Sequence, residues 1–598
     1  MRQLEREGRG AQEQLVREVA TVATRQLIQE LRDDFAGLAA VQTYLGAVET
    51  DIIEHAEQFK VRPEDRPPMP FLPPVEMLFE RYRVNVVVDR NGARGAPVVF
   101  EPNPTHGNLL GRIEHRAQFG ALVTDFTLVK GGALHQANGG YLILEADDVL
   151  RNFLAWDALK KALKSASIRI QEPLEELRLA TVVSLAPEPI PLAVKVVLIG
   201  TPLLYYLLYQ LDNDFCELFK VKVDFDDSFP RSPESEALYA RFIAGVCRDD
   251  GLLPFTAGAV ALLVEHGARL VAHQERLSAC LGRLQDVIRE AAAHAVQRTS
   301  ALVERVDVDR ALAERIRRVN LVEERLGRLV SEGSLFIATD GEVVGQVNGI
   351  SVLSTGDHAF GRPSRITVRT YSGAPGVIDI EREAKLGGRL HSKGVMILTG
   401  FLAGRYARER PLALAASIAF EQHYEEIDGD SAASAELYAL LSSLAGIPLR
   451  QDIAVTGSVN QQGQIQPVGG INEKIEGFFD VCRARGLTAR QGVAIPEANA
   501  RHLMLREVVV AAVRDERFHV WAVATVDDGL ALLSGREAGE RRDGGYPAGS
   551  FNAAVDAALA EGVARLRELH VDGHVPAATV AGRSPLGGPA TRPPSPST

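Results

Sequence analysis

Glu426-Ile-Asp-Gly-Asp-Ser-Ala-Ala-Ser434 is the stretch from which the rest of the chain can be read. It follows one apolar run, Leu412 to Phe420, and precedes another, Leu437-Tyr-Ala-Leu-Leu-Ser-Ser-Leu444. A tight glycine-containing turn and then a helix are expected, with Ser431 near the helix N-terminus. Asp and Ser before an apolar run are ordinary N-caps. The same place also presents free backbone N–H groups to a developing oxyanion, which makes a serine there a candidate nucleophile.

A nucleophilic serine needs a base. No Gly-x-Ser-x-Gly elbow surrounds Ser431. About forty residues on lies Pro467-Val-Gly-Gly-Ile-Asn-Glu-Lys474-Ile-Glu-Gly477, whose paired glycines allow a sharp bend into a helix. Lys474 falls in the first turns of that helix between Ile471 and Ile475. An apolar pocket would strip water from its ammonium and lower its pKa, and a neutral lysine can take a proton from serine. A surface lysine beside Glu473 and Glu476 is the plain alternative.

Outward from this segment, a chain of 598 residues has room for about four domains. The net charge of −12 argues against a general nucleic-acid binder. The four cysteines, Cys216, Cys247, Cys280 and Cys482, show no CxxC spacing, so neither a cysteine zinc site nor a disulfide scaffold is expected. Val196 to Tyr209 is too short to span a bilayer, and the N-terminus lacks an apolar signal core. A cytoplasmic location with no membrane partner is the expectation.

Residues 1–60 read as a helical arm, with Leu27, Leu31, Phe35, Leu38, Val41, Leu45, Val48 and Ile52 on one apolar stripe. Residues 61–94 read as a proline-rich linker followed by a hairpin, Tyr82 to Asp89 turning at Asn91-Gly92 and returning at Pro97 to Phe100. Residues 95–231 alternate strand and helix. Gly140–Glu145 and Lys195–Gly200 read as buried parallel strands, with a helix near Ala155–Ser165 between them. Residues 232–330 are helical by periodicity, and 331–536 mix strands and helices. Residues 537–598 hold one more helix and a Pro/Gly/Ser/Thr-rich tail expected to be disordered. The fold class is α/β and α+β, multidomain.

Asp428-Gly-Asp-Ser-Ala432 together with Pro467-Val-Gly-Gly-Ile-Asn-Glu-Lys474 resembles the proteolytic domain of Lon proteases. The likeness continues through Gly345-Gln-Val-Asn-Gly349, Ala384 to Gly394, Ile453-Ala-Val-Thr-Gly457 and Val493 to Asn499. It implies a Ser–Lys dyad with Ser431 as nucleophile and Lys474 as general base. Asp430 stands where many relatives carry proline. Thr456 is either a site hydroxyl or a strand threonine, and His391 and Lys393 either flank the site or serve the surface. The resemblance also implies unfolded or damaged proteins as substrates and a hexameric ring enclosing the sites. The resemblance implies that neither a cofactor nor a catalytic metal is needed for peptide hydrolysis itself.

Residues 95–330 resemble an AAA+ module of the B-like Lon relatives, through Glu101-Pro-Asn-Pro104, Gly131 to Glu145, Pro187 to Pro191 and Phe215 to Lys220. The module is incomplete: Gly-x-x-x-x-Gly-Lys-Ser/Thr does not occur in these residues, which removes the usual cradle for ATP–Mg²⁺ phosphates. The implied degenerate nucleotide set is Glu145 and Asp147 at the Walker B strand, Thr201 as sensor 1, Lys220 in place of an arginine finger, and Arg276 or Arg283 as sensor 2. Two rival readings stand beside this one. The chain is a fully ATP-dependent Lon protease whose P-loop lies upstream of Met1, or a chaperone-like ring subunit that binds unfolded protein without cutting it.

Overall fold

The computed structural model describes residues 2–60, 79–92, 94–118, 121–170, 185–371, 376–409, 411–412, 414–542 and 544–571. The proline-rich crossing at 61–74 and the tail beyond 572 lie outside the described residues. The chain forms two compact units, 1–224 and 225–598. No helix among the described residues is long and apolar enough to cross a membrane.

In the first unit, helices α1 (Arg2–Asp34) and α2 (Ala39–Glu54) form an antiparallel hairpin. Arg32 pairs with Glu49, and Gln42 donates to the Arg32 carbonyl. The single stripe expected here is broken, because the chain reverses at 35–38 and a 3–4 spacing carried across a reversal no longer shares a face. Ile28 and Leu45 are the buried residues, while Leu27, Leu31, Phe35 and Leu38 are exposed.

Strands β1 (Val98–Phe100), β2 (Tyr141–Glu145) and β3 (Lys195–Ile199) form a parallel sheet in that order. Leu109, Leu134 and Leu159, the last from helix α3 (Ala155–Ser165), pack with Leu142 and Leu144 of β2. The expected hairpin does not form: β1 pairs in parallel with β2, and no strand covers 82–90. Val84 and Val86 are exposed, and Asn85 instead donates to the carbonyls of Phe126 and Val129. A β-branched run becomes a strand only where a neighbouring edge is in register. Full burial of β3 is also not found, since Val197 and Ile199 are exposed on one face.

The second unit begins with helices α4 (Pro233–Asp249), α5 (Ala257–Leu270), α6 (Leu281–Gln297) and α7 (Arg305–Val319). Ser232 and Thr256 cap the first two by accepting backbone N–H groups at the third helical position. Their apolar faces meet in one cluster that includes Ile243, Leu263, Val287 and Ile288. The next helix, α8 (Leu321–Ser331), sends Val330 into a different core, with Ile471, Ile475 and Phe478. By packing, the change of core therefore falls before α8.

That core belongs to a seven-stranded sheet. Its strands are β4 (Gln346–Ser354), β5 (Ala359–Tyr371), β6 (Gly376–Asp379), β7 (Ala415–Phe420), β8 (Ile453–Val455), β9 (Gly492–Pro496) and β10 (His519–Val523). The spatial order is β6-β7-β5-β4-β8-β9-β10. β4–β5 and β5–β7 are antiparallel and the other neighbours parallel. One cluster gathers helices α9 (Arg389–Tyr406), α10 (Ala433–Ala445), α12 (Val526–Ser534) and α13 (Phe551–Val571) with Val347, Ile366 and Ile418 of the sheet. A second gathers α8 and helix α11 (Ile471–Arg485) with Ile350, Ala454 and Val493. Helix α13, read from sequence as part of a separate terminal segment, places Phe551, Val555 and Leu559 in the first cluster.

Candidate active site

Three elements converge at the site. Ser431 lies in the turn just before α10, whose first ten residues are all buried. Gly429, at φ +113°, makes that turn. Ala433 N–H bonds back to the Asp430 carbonyl at 3.1 Å, and Gly457 N–H holds the Ser431 carbonyl at 2.8 Å. Thr456 and Gly457 follow β8. Lys474 sits one turn into α11, which starts at Gly470 with φ +65°. A side chain at Gly470 would strike Val352.

Helix α11 lies almost in backbone contact with β5. A Cβ at Gly361 would fall 2.2 Å from the Glu473 carbonyl oxygen, and one at Gly477 would fall 2.2 Å from the Gly361 carbonyl oxygen. Two glycines at the crossing thus let the helix sink onto the sheet and carry Lys474 towards Ser431.

Lys474 Nζ is 3.0 Å from Ser431 Oγ and 3.0 Å from Thr456 Oγ1. Lys474 is 3% exposed, and burial pulls its pKa down from the ordinary lysine value to about 8; the Asp430 carboxylate works weakly in the other direction. As an ammonium, Nζ donates to both hydroxyls. Once neutral, it can keep the bond to Thr456 and turn its lone pair to the Ser431 hydroxyl. Thr456 Oγ1 in turn donates to the Ser431 carbonyl at 3.3 Å. Asp430 accepts from Ser458 Oγ at 2.9 Å, which ties its carboxylate to a neighbouring hydroxyl. The Ser431 backbone N–H has no acceptor among the described residues.

His391 does not join this group. It is buried between Asp379, 3.2 Å from Nε2, and Glu436, 3.5 Å from Nδ1. Burial raises the Glu436 carboxyl to about 7; at Asp379 burial is the largest single effect, but the His391 imidazole together with the backbone N–H groups of Glu381 and Arg382 outweighs it and holds that carboxyl low. The imidazole is raised by these carboxylates against its own burial. Nothing in the residue pattern around His391 pointed to this cluster. Lys393 is exposed and makes no bond to Ser431 or Lys474.

The residues read as a nucleotide set fall in both units. In the first unit, β2 and β3 bring Glu145 and Thr201 to the C-terminal edge of one parallel sheet. Asp147 is paired with Arg151 at 2.6 Å, and the Thr201 hydroxyl caps the following helix (Pro202–Leu211) by accepting Leu204 N–H. Lys220 is exposed. In the second unit, Arg276 ties two short strands together through Ser228 and Asp226. Arg283, in the first turn of α6, is exposed and pairs with no described side chain. Asp147 and Thr201 are thus engaged in local helix bonds.

The fold is an AAA-like module followed by a mixed α/β proteolytic-type domain, the class in which an ATPase-like unit and a peptidase share one chain. The matching family descriptions agree: LonB-like AAA domain over 94–226, archaeal LonB AAA+ ATPase LID domain over 254–318, and Lon protease (S16) C-terminal proteolytic domain over 425–533. A putative Lon protease homolog of Escherichia coli is 37% identical over 412 residues, covering 68% of this chain and 69% of that protein. A putative Lon protease homolog of Haemophilus influenzae is 32% identical over 437 residues, 71% of this chain and 69% of that one. An archaeal Lon protease of Thermococcus kodakarensis is 26% identical over 463 residues, 76% and 69% respectively. The chain belongs to the Lon protease family.

Proposed function

We propose that the chain is a serine-type endopeptidase in which Ser431 is the nucleophile and Lys474 the general base. The observation that carries this reading is the buried contact of 3.0 Å between Lys474 Nζ and Ser431 Oγ. Neutral Lys474 takes the Ser431 proton as Oγ adds to the peptide carbonyl, and the carbonyl π pair moves onto oxygen. The Ser431 N–H is available to that oxyanion, a kind of contact worth about 3 kcal/mol where it forms. Collapse expels the amine, which leaves with the proton from Lys474, and an acyl-enzyme remains. Water then gives a proton to Lys474, adds to the ester and releases the acid while Oγ recovers the proton. Thr456 keeps Nζ oriented throughout by accepting one of its N–H bonds.

The substrates of this reading are unfolded or damaged proteins, handled in a homo-hexameric ring within the cytoplasm. No step is routed through ATP or magnesium. The test is cleavage of casein by the purified chain, with and without ATP–Mg²⁺, beside Ser431→Ala and Lys474→Gln. Cleavage by the wild type alone supports the dyad. Equal cleavage by wild type and either variant would overturn it, and a strict requirement for ATP–Mg²⁺ would overturn the nucleotide-independent step.

A further inference from the structure

Helix α11 is held from two sides. Lys474 points to Ser431 and Thr456. Asn472, Glu476 and Asp480 follow one another four residues apart, and Lys474 lies roughly 200° around the helix from both Asn472 and Glu476. This second side is gripped by a strap, residues 499–506, and by the helical layer beyond it. Met504 N–H donates to Asn472 Oδ1 at 2.6 Å, and Asn472 Nδ2 donates to the His502 carbonyl at 3.0 Å. Arg506 N–H donates to Glu476 Oε1 at 2.7 Å, and its guanidinium donates to Asp480 at 2.5 Å.

The helical layer reaches the same carboxylate. Arg269, in the last turn of α5, donates from Nη1 and Nη2 to the two oxygens of Glu476, each at 2.8 Å. Its Nη1 also donates to the Met504 carbonyl at 2.6 Å. Met504 packs on the core of α4–α7, and Gln274 donates through its side chain to the Leu503 carbonyl at 3.0 Å. A bidentate arginine–carboxylate pair fixes angle as well as distance. Glu476 stands two residues from Lys474 on a rigid helix, so a rotation or shift imposed at Glu476 is carried to Nζ.

We propose that Arg269 is a positioning residue for peptide hydrolysis, setting through Glu476 the seat of α11 and thereby the contact between Lys474 and Ser431. The helical layer α4–α7 is then mechanically continuous with the general base. This rests on the reading of Ser431 and Lys474 as the catalytic pair. It assigns a role to a residue outside the reacting groups.

The test compares wild type, Arg269→Gln, Arg269→Lys and Glu476→Gln by two readouts. One is Ser431-dependent hydrolysis of a short unstructured peptide as a function of pH. The other is the pH midpoint for acetylation of Lys474 by acetic anhydride, followed by mass spectrometry, which needs no turnover. Arg269→Gln is expected to lower kcat about tenfold with KM unchanged, as a small misplacement of a catalytic group does. It is also expected to raise the acetylation midpoint towards that of an ordinary lysine, with partial return in Arg269→Lys. Wild-type kcat and midpoint in Arg269→Gln would overturn the proposal. So would a loss of kcat matched by loss of folded protein, with no midpoint change in Arg269→Lys or Glu476→Gln. A midpoint that moves in a chain that cleaves nothing would overturn the catalytic reading and keep Arg269 as the setter of the Lys474 environment.

Discussion

Lys474 owes its lowered pKa to where its ammonium is placed. Burial makes the charged form costly, and the Asp430 carboxylate, which accepts from Ser458, offsets only part of that cost. With the pKa lowered to about 8, the base form grows as pH rises through that value. Ser431-dependent hydrolysis should therefore fall as pH drops below about 8, and a pH–rate profile that stays flat from about 6 to about 10 would count against Lys474 as base. Glu436 titrates with the opposite consequence for stability. Its carboxyl is raised to about 7, so its contribution is full below the ordinary carboxylate range and is lost as pH rises through 7. Glu436→Gln stays neutral and should be more stable than wild type at pH 8, by a difference on the order of 3 kcal/mol, but not near pH 4. Thermal unfolding at the two pH values checks this. Ser431 and Lys474 were legible because each lies in a turn-to-helix motif with its own local signature. The partners of His391 were not, because Asp379 and Glu436 reach it from two other elements.

At the scale of elements, the crossing of α11 over β5 decides how near the lysine comes to the serine. Gly361→Ala would place a methyl group against the Glu473 backbone, which cannot swing away as a side chain can. The helix must lift, at a cost of about 1–3 kcal/mol. Activity should fall more than stability, since a small displacement of Nζ breaks its bonds to both Ser431 and Thr456. Unfolding midpoints and kcat measured on the same variant separate the two effects. The helix expected near Ala155–Ser165 forms over those residues as α3, although no side chain caps its start. The stripe across α1 and α2 was misread because periodicity carries no information about a chain reversal. The strand expected at 82–89 failed because pairing depends on a neighbour that the local residues do not specify.

At the scale of the whole molecule, helix α13 shows how a segment far along the chain becomes part of the proteolytic-type core. Phe551 is fully buried beside α10, and Asn552 links Tyr406 of α9 at 2.7 Å with the Asp527 carboxylate of α12 at 3.3 Å. Arg405 closes that network with two bonds of 2.7 Å to Asp527. Phe551→Ala should destabilise the second unit by about 3–5 kcal/mol, read from denaturant unfolding. A chain ending before 551 should lose Ser431-dependent activity, because α10, which follows Ser431, would lose one of the helices that cover it. Sequence by itself determined which residues cap turns and start helices, and so placed a serine and a lysine each at the head of a helix. Only the tertiary structure decided that the two heads meet and that the lysine reaches its serine in a buried contact. Local propensity acts over a few residues, whereas desolvation depends on every layer that closes around the group.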